Sequence, residues 1–487
     1  METVTEGKAS VLKPEGNEVF YNPVQQFNRD ISTLGIRAWS EIYQNSNRFK
    51  KRTAEGEVKP FIDIVEALSA TGLRAIRYGK EIPLIRKVIA NDMSPSAVEA
   101  IRKNVEYNEI GNVVVPNQGD ANGYMHQRKA EGLRAHVVDL DPYGTAAMFI
   151  DAAVQSVVDD GLLLVTCTDL GVLAGNSYPE KCFALYGGTT VHSDACHESA
   201  LRLVLNMVAS TAAKYGKAIE PLLSLSIDFY VRCFIRIKAS PQTVKLNHSK
   251  TMVVYHCNGC NSVTNQPLGH VFEKPAKEGK KSSGQLKYVP AVGPKVPGDK
   301  CQHCGSSVHI SGPMWGGPLH DQEYIDKMLE IHSTLDPEVY GTLPRIEGML
   351  TLARQELPDA PFYFSLPSTS HVIKAPSPDM TTVASALLNS GYKVSETHCK
   401  ATCLKTDAPY EFIWDLLRQW CEKNKKDPMA SLKEGTPGYN IMTKPSTSQV
   451  SFETNEQAKE MEARRKSKLV RFQMNPTENW GPKGRAK

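Results

Sequence analysis

Phe61-Ile-Asp-Ile-Val-Glu-Ala67, running on through Leu68-Ser-Ala-Thr-Gly72 into Leu73–Ile82, is the stretch on which the fold turns. Residues 61–67 form a short apolar run rich in β-branched and aromatic side chains, as a buried strand does. The small-residue loop stops it, and the segment that follows has helical spacing. The alternation then repeats. Lys87–Ala90 is a second strand, closed by Asn91-Asp92. Ser94 caps a helix with Pro95 in its first turn and Val98, Ile101 and Val105 on one face. Asn112–Val115, Ala135–Asp141 and Gly161–Thr166 are three more strands, and Pro221–Asp228 and Tyr230–Ile237 close the series. Strands separated by helices predict an α/β fold with a parallel, doubly wound sheet. Ligands of such sheets sit at the carboxyl ends of the strands. Ser69–Arg74, Asp92, Asp120 and Asp141 all fall at those ends, which predicts one shared pocket.

The chain of 487 residues has room for about three domains of ~150 residues. With 41% hydrophobic residues it can pack real cores, so wholesale disorder is excluded. No segment reaches the ~20 apolar residues of a membrane span; Gly161–Gly175 is too short and contains Asp169. The opening Met1–Gly16, with Glu2, Glu6 and Glu15, reads as neither a secretory signal nor a transit peptide. Eleven cysteines in so long a chain point to a reducing compartment rather than a disulfide scaffold. The expectation is a soluble protein with no membrane partner and no obligate protein partner.

Composition shifts after about Ser240. Glu273–Lys300 is Lys/Gly/Ser/Pro-rich and reads as a flexible loop; Gln322 to about Trp420 reads as a second compact domain. The polar tail from Lys423 includes a helical piece near Glu456–Ser467. The expected division is 1–246 for the sheet domain with an N-terminal arm, and 247–487 for a C-terminal domain. Net charge is only +4, but it is unevenly spread. Residues 230–300 carry 12 Lys+Arg against 3 Asp+Glu, and residues 459–487 carry 9 against 3, leaving the rest net acidic. A nucleic-acid backbone would be gripped there; a solvated loop and tail are the plain alternative. The run Arg464-Arg-Lys-Ser-Lys468 is of the kind that serves as a nuclear signal or simply as a solvated face.

Asp139-Leu-Asp141-Pro142-Tyr143-Gly144 ends the fourth strand. An exocyclic amine on a nucleobase is a poor nucleophile because its lone pair is delocalised into the ring. To alkylate it, an enzyme accepts hydrogen bonds from the N–H groups and draws the nitrogen toward sp³ geometry. Asp141 and the proline-fixed carbonyl before Pro142 supply acceptors, and Tyr143 can stack the base. A plain Asp-Pro turn is the competing reading. Asp92, at the end of the second strand, suits ribose hydroxyls of an adenosine-type cofactor, and Asp120 the adenine or ribose side; either alone also suits a helix cap. Leu68–Arg74 has one glycine and no dinucleotide fingerprint. A small-residue loop followed by Arg74 fits a cofactor bearing a carboxylate, such as the methionine part of S-adenosylmethionine. Cys257-x-x-Cys260 and Cys301-x-x-Cys304 suit tetrahedral Zn²⁺, with the intervening residues as an excursion loop. His256 and His303 read as bystanders and the other cysteines as core fillers, with a nucleophilic Cys167 left open.

At these residues the sequence resembles the tRNA (guanine-26 N2)-dimethyltransferase family, eukaryotic branch. The matching motifs are Phe20-Tyr-Asn-Pro with Asn28-Arg-Asp30, Leu68–Arg74, Asn91-Asp92, Gly119-Asp-Ala121, Asp139–Gly144, Thr166-Cys-Thr-Asp169, Ala174-Gly175 and both cysteine pairs. Gly312-Pro-Met-Trp315 and Asn475–Pro482 follow in the same order, so the resemblance covers nearly the whole chain. It implies a class I, Rossmann-like S-adenosylmethionine-dependent methyltransferase sheet, and a C-terminal α+β domain carrying a zinc-ribbon-like insertion at about 252–315. It implies methyl transfer to N2 of guanine 26 in tRNA. By resemblance, Arg29, Arg74, Asp92, Asp120 and Ala121 bind the cofactor. Asp141, Pro142 and Tyr143 are catalytic, with Phe20, Tyr21 and Tyr143 stacking the flipped base. Cys257, Cys260, Cys301 and Cys304 hold Zn²⁺. The nucleus is the expected compartment, with the mitochondrion as the alternative. Ile36–Pro60 matches no insertion of the pattern and is assigned no role. Another nucleic-acid or protein amino-methyltransferase, or a catalytically inactive zinc-ribbon RNA-binding protein, are the competing functions.

Overall fold

The computed structural model describes residues 3–12, 21–46, 49, 59–175, 177–274, 284–293, 299–467 and 469–472. Phe20, the Asn475–Pro482 motif and most of the basic tail lie outside the described residues.

The first strands are a hairpin, β1 (Thr3–Glu6) and β2 (Ala9–Leu12). Neither shows in sequence periodicity, because four residues are too few to establish an alternation. Ala9 and Val11 are nonetheless fully buried. Side chains of the following domain satisfy the hairpin's backbone: Glu81 accepts from Lys8 N–H (2.9 Å), and Asn104 from Leu12 N–H (2.9 Å).

The large sheet is built from β3 (Ile62–Glu66), β4 (Ile85–Asp92), β5 (Val114–Gln118), β6 (Ala135–Leu140), β7 (Val157–Cys167), β8 (Lys217–Ile227) and β9 (Tyr230–Ala239). Its order is β5-β4-β3-β6-β7-β9-β8. β3 to β7 are parallel, while β9 runs antiparallel to both β7 and β8. Every residue of β3 is buried, as a central parallel strand covered on both faces requires. The sequence reading of this sheet is borne out, with strand bounds differing by a few residues.

The end of the N-terminal arm expected over 18–30 and the beginning of the unassigned 36–60 stretch form one long helix (Gln26–Asn45), buried along most of its length. It shares one core with helices Gln322–His332 and Leu343–Gln355 and one face of the sheet. Packing therefore runs across residues 246/247: these two helices belong to the core of the first half. Helical periodicity identifies an apolar face but not which core receives it.

Beyond the sheet, β10 (Thr251–Cys257) pairs with β11 (Val263–Pro267) and β14 (Val308–Trp315), while β12 (Gly269–Glu273) and β13 (Leu286–Pro290) make a separate hairpin. Residues 286–290, within the stretch 273–300 expected to be a flexible loop, are thus strand. A third small sheet, β15 (Phe364–Ser365), β16 (Val394–Glu396) and β17 (Cys403–Thr406), packs with helix Tyr410–Asn424 and the four paired cysteines in their own core. A buried charged joint keys the halves together. Lys405 lies 3.1 Å from both Glu198 and Glu356, and His398 Nε2 accepts from Ser226 N–H (3.1 Å). No helix among the described residues is long and apolar enough to cross a membrane.

Candidate active site and metal centre

The carboxyl ends of β3, β4, β5 and β6 bring the expected polar residues to one edge. The loop after β3 turns through Ala70 (φ 48°) and Gly72 (φ 76°). A side chain at Gly72 would need this left-handed conformation and would press on Ile101 at 3.1 Å. Asp92 staples the loop: one carboxylate oxygen accepts from Ala70 N–H and the other from Ser94 N–H, each at 2.9 Å. Gly119 N–H donates to the Asp92 carbonyl at 3.0 Å, drawing Asp120 to the same edge. Asp120 caps helix Ala121–Ala130 by accepting from Gly123 N–H (2.7 Å), with Ala121 buried behind it. Both aspartates thus act as local caps, and each carboxylate oxygen keeps a lone pair for a ligand.

Arg74 occupies the centre. Its guanidinium pairs with Asp141, donates to Ser32 Oγ at 3.2 Å, and lies 3.5 Å from Glu66. Behind it Asp139 is fully buried, held by Arg232 at 2.7 Å and by the Tyr78 hydroxyl at 2.6 Å. Burial opposes ionisation of Asp139, but Arg232 and Arg74 outweigh it and keep its carboxyl below the ordinary range. Burial pushes Glu66 the other way, up to about 8 despite Arg74 and the Ser69 hydroxyl, which favours its neutral form near pH 7. Ser69 donates to it at 2.6 Å. Sequence reasoning found Arg74 and Asp141. It missed Glu66, Ser32, Tyr78 and Arg232, because no motif links positions up to 200 residues apart.

Pro142 is buried, Tyr143 is exposed at the mouth, and Gly144 N–H donates to Thr168 Oγ1 at 2.8 Å. Next to this turn, Tyr186 donates to Asp169 (2.7 Å), and its oxygen lies 2.8 Å from the Thr145 hydroxyl, which can donate to it. The segment around them exposes Met148, Tyr178 and Phe183. Tyr230 is a further residue missed by the sequence: its buried hydroxyl has no hydrogen-bond partner among the described residues, and it feels the charge of Asp141. Cys167 is a core residue, and burial pushes its thiol up to about 12, which leaves no nucleophilic thiolate at neutral pH.

Arg29 and Tyr21 are engaged elsewhere. Arg29 pairs bidentately with Glu6 of the N-terminal hairpin, with both contacts 2.6 Å, and its third bond goes to the Asn22 carbonyl. Tyr21 donates to the same Glu6 at 2.9 Å, with Arg29 over its ring.

The four cysteines of the two pairs converge, all buried and none in a disulfide. Cys257 ends β10 and lies opposite Val308 of β14, so strand pairing brings the two knuckles together. Cys257 Sγ is 3.3 Å from Cys304 Sγ, and Cys260 Sγ is 3.7 Å from Cys301 Sγ. A tetrahedral Zn²⁺ with Zn–S of about 2.3 Å places sulfurs roughly 3.8 Å apart. Gly259 and His303 N–H groups point at Cys257 and Cys301 sulfurs (3.3 and 3.4 Å), as thiolate knuckles require. The donor set fits zinc. His256 turns away, its Nδ1 bonded to Ser311 Oγ at 3.2 Å.

A family model described as TRM, N2,N2-dimethylguanosine tRNA methyltransferase, matches residues 2–418. This chain belongs to that family. The tRNA (guanine(26)-N(2))-dimethyltransferase of Schizosaccharomyces pombe is 48% identical, over 99% of this chain and 92% of its own length. The Saccharomyces cerevisiae relative, named mitochondrial, is also 48% identical over the same shares. The human relative is 38% identical over all of this chain and 78% of its own. Among solved structures, Trm1 from Pyrococcus horikoshii with S-adenosyl-L-methionine superposes with a TM-score of 0.67 at 27% identity, covering 85% of this chain and 99% of that one. The resemblance and the methyltransferase fold expected from sequence are borne out.

Proposed function

We propose that the protein methylates the exocyclic N2 of guanine 26 in tRNA from S-adenosylmethionine, giving N2-methyl- and then N2,N2-dimethylguanosine. The observation that carries this reading is the Asp141 carboxylate at the mouth of the sheet edge, flanked by exposed Tyr143 and backed by the Arg74 network. Bound there, S-adenosylmethionine supplies a methyl group on a sulfonium leaving group. Asp141 accepts the amine N–H and the carbonyl preceding Pro142 the other, concentrating electron density on nitrogen. Tyr143 holds the flipped base by stacking. Asp92 and Asp120 keep lone pairs toward the cofactor's ribose and adenine, and Arg74 faces its carboxylate.

Cys257, Cys260, Cys301 and Cys304 hold a structural zinc that fixes β10 against β14. The β12–β13 hairpin contributes to the RNA surface: Phe272 is exposed with Lys287 over its ring at 5.7 Å, and His270 lies beside it. An aromatic platform with an adjacent cation suits an RNA strand. The compartment read from Arg464–Lys468 is the nucleus, although Arg465 already bonds Thr381 (2.8 Å) within the fold. Nucleoside analysis of unmodified tRNA incubated with enzyme and S-adenosylmethionine should show both methylated guanosines. A methyl mark on any other base, or on protein alone, contradicts the reading.

A further inference from the structure

Two arginines expected to bind the cofactor have the chemistry to take its carboxylate, and the structure leaves them in different states. Arg29 is closed off: Glu6 holds it bidentately from a hairpin docked on the body, and the Asn22 carbonyl takes a third bond. Arg74 is fixed from behind by Ser32 and Glu66, and its forward partner is Asp141 at the mouth, whose side chain is 14% exposed against 6% for Arg74. The remaining acid of the cluster, Asp139, lies 3.8 Å from Arg74 but is already compensated by Arg232 and Tyr78. Glu66 stands farther off, at 3.5 Å, and burial favours its neutral form, which weakens its claim on Arg74. Among the described residues, Asp141 has Arg74 as its cationic partner, and it is the group needed as acceptor for the guanine amine.

We infer that Arg74 is a positioning residue shared between Asp141 and the carboxylate of the cofactor, so that cofactor binding takes the guanidinium from Asp141 and frees that carboxylate for the amine. The inference rests on the cofactor reading above. A carboxylate engaged by an arginine is a weaker acceptor for a third donor, since its charge is already committed. Release of Asp141 only when the methyl donor is bound couples the two substrates in one site. Linkage requires the converse: Asp141 competes with the cofactor for Arg74, so neutralising Asp141 strengthens cofactor binding.

The test is calorimetry of the intact protein with S-adenosylhomocysteine, which has the carboxylate, and 5′-methylthioadenosine, which lacks it. Wild type, Asp141→Asn and Asp141→Ala are compared, with thermal melting to establish that both variants are folded. The expected result is S-adenosylhomocysteine binding roughly fivefold tighter in the variants, with 5′-methylthioadenosine unchanged. Unchanged or weaker S-adenosylhomocysteine binding in both variants, or an equal shift for both ligands, overturns the inference and leaves the cofactor reading intact. Absence of any S-adenosylhomocysteine binding to wild type overturns the cofactor reading and this inference with it.

Discussion

The sheet edge and the cysteine centre solve the same problem, holding reactive polar groups inside a protein, in opposite ways. At the edge the chain supplies its own counter-charges: Arg74 meets Asp141, and Arg232 meets Asp139. Ligand binding there is an exchange of partners. At the cysteine centre four buried sulfurs face mainly one another, with two backbone N–H groups and the Ser262 hydroxyl as further partners. No cationic side chain of the described residues is paired with them, so the counter-charge is one that a metal would supply. The first arrangement holds its own charges in balance, whereas the second, as a zinc site, would depend on its ligand for stability.

That contrast can be broken most forcefully at the ribbon. Metal analysis should give about one Zn²⁺ per chain. Cys301→Ser, or chelation, should lower the melting temperature by roughly 5 °C or more, while S-adenosylhomocysteine affinity stays near wild type. A metal-free protein of undiminished stability would mean that the cysteines satisfy themselves as the edge does.

Glu66 sharpens the other side. Its folded pKa of about 8 lies above the ordinary 4.5, so between these values the unfolded chain releases a proton that the folded one keeps. Stability at this residue is therefore fully present below about pH 4.5 and declines as pH rises toward 8. Arg74, Ser69, Asp139 and Asp141 surround the carboxyl, and none of them reverses that sign. Glu66→Gln keeps the Ser69 bond and removes the titration. Melting temperatures from pH 5 to 8 should fall in wild type relative to the variant; parallel curves would show that Glu66 is charged throughout and that the edge is differently balanced.

The smallest effect belongs to the exposed hairpin. Replacing Lys274 and Lys287 by Gln should weaken tRNA binding severalfold and reduce the salt slope by up to about two, with cofactor affinity unchanged. An unaltered slope would reduce the hairpin to a solvated loop.

How far the sequence carried this picture follows from the range of each interaction. Strand ends were legible because parallel strands buried on both faces read as apolar runs, with polar residues marking where each leaves the core. Cys257, Cys260, Cys301 and Cys304 were legible because ligand spacing is local within each knuckle. Partners were not. Nothing near Arg74 signals that Asp141, 67 residues away, will claim it, nor that Glu6 of an unsuspected hairpin will close Arg29. Tyr21, expected to stack a base, is tied to that same Glu6. The allotment of helices 322–355 to the first core escaped for a similar reason: amphipathicity names a face, not its destination.

The most direct test of the central claim is transfer of labelled methyl groups from S-adenosylmethionine to two tRNA transcripts that differ only in guanine or adenine at position 26, with wild-type protein and Asp141→Ala. The account predicts label on the guanine transcript alone and a loss of roughly 100-fold or more in the variant, as expected when a principal transition-state acceptor is removed. Equal labelling of both transcripts, or full activity in Asp141→Ala, would contradict it.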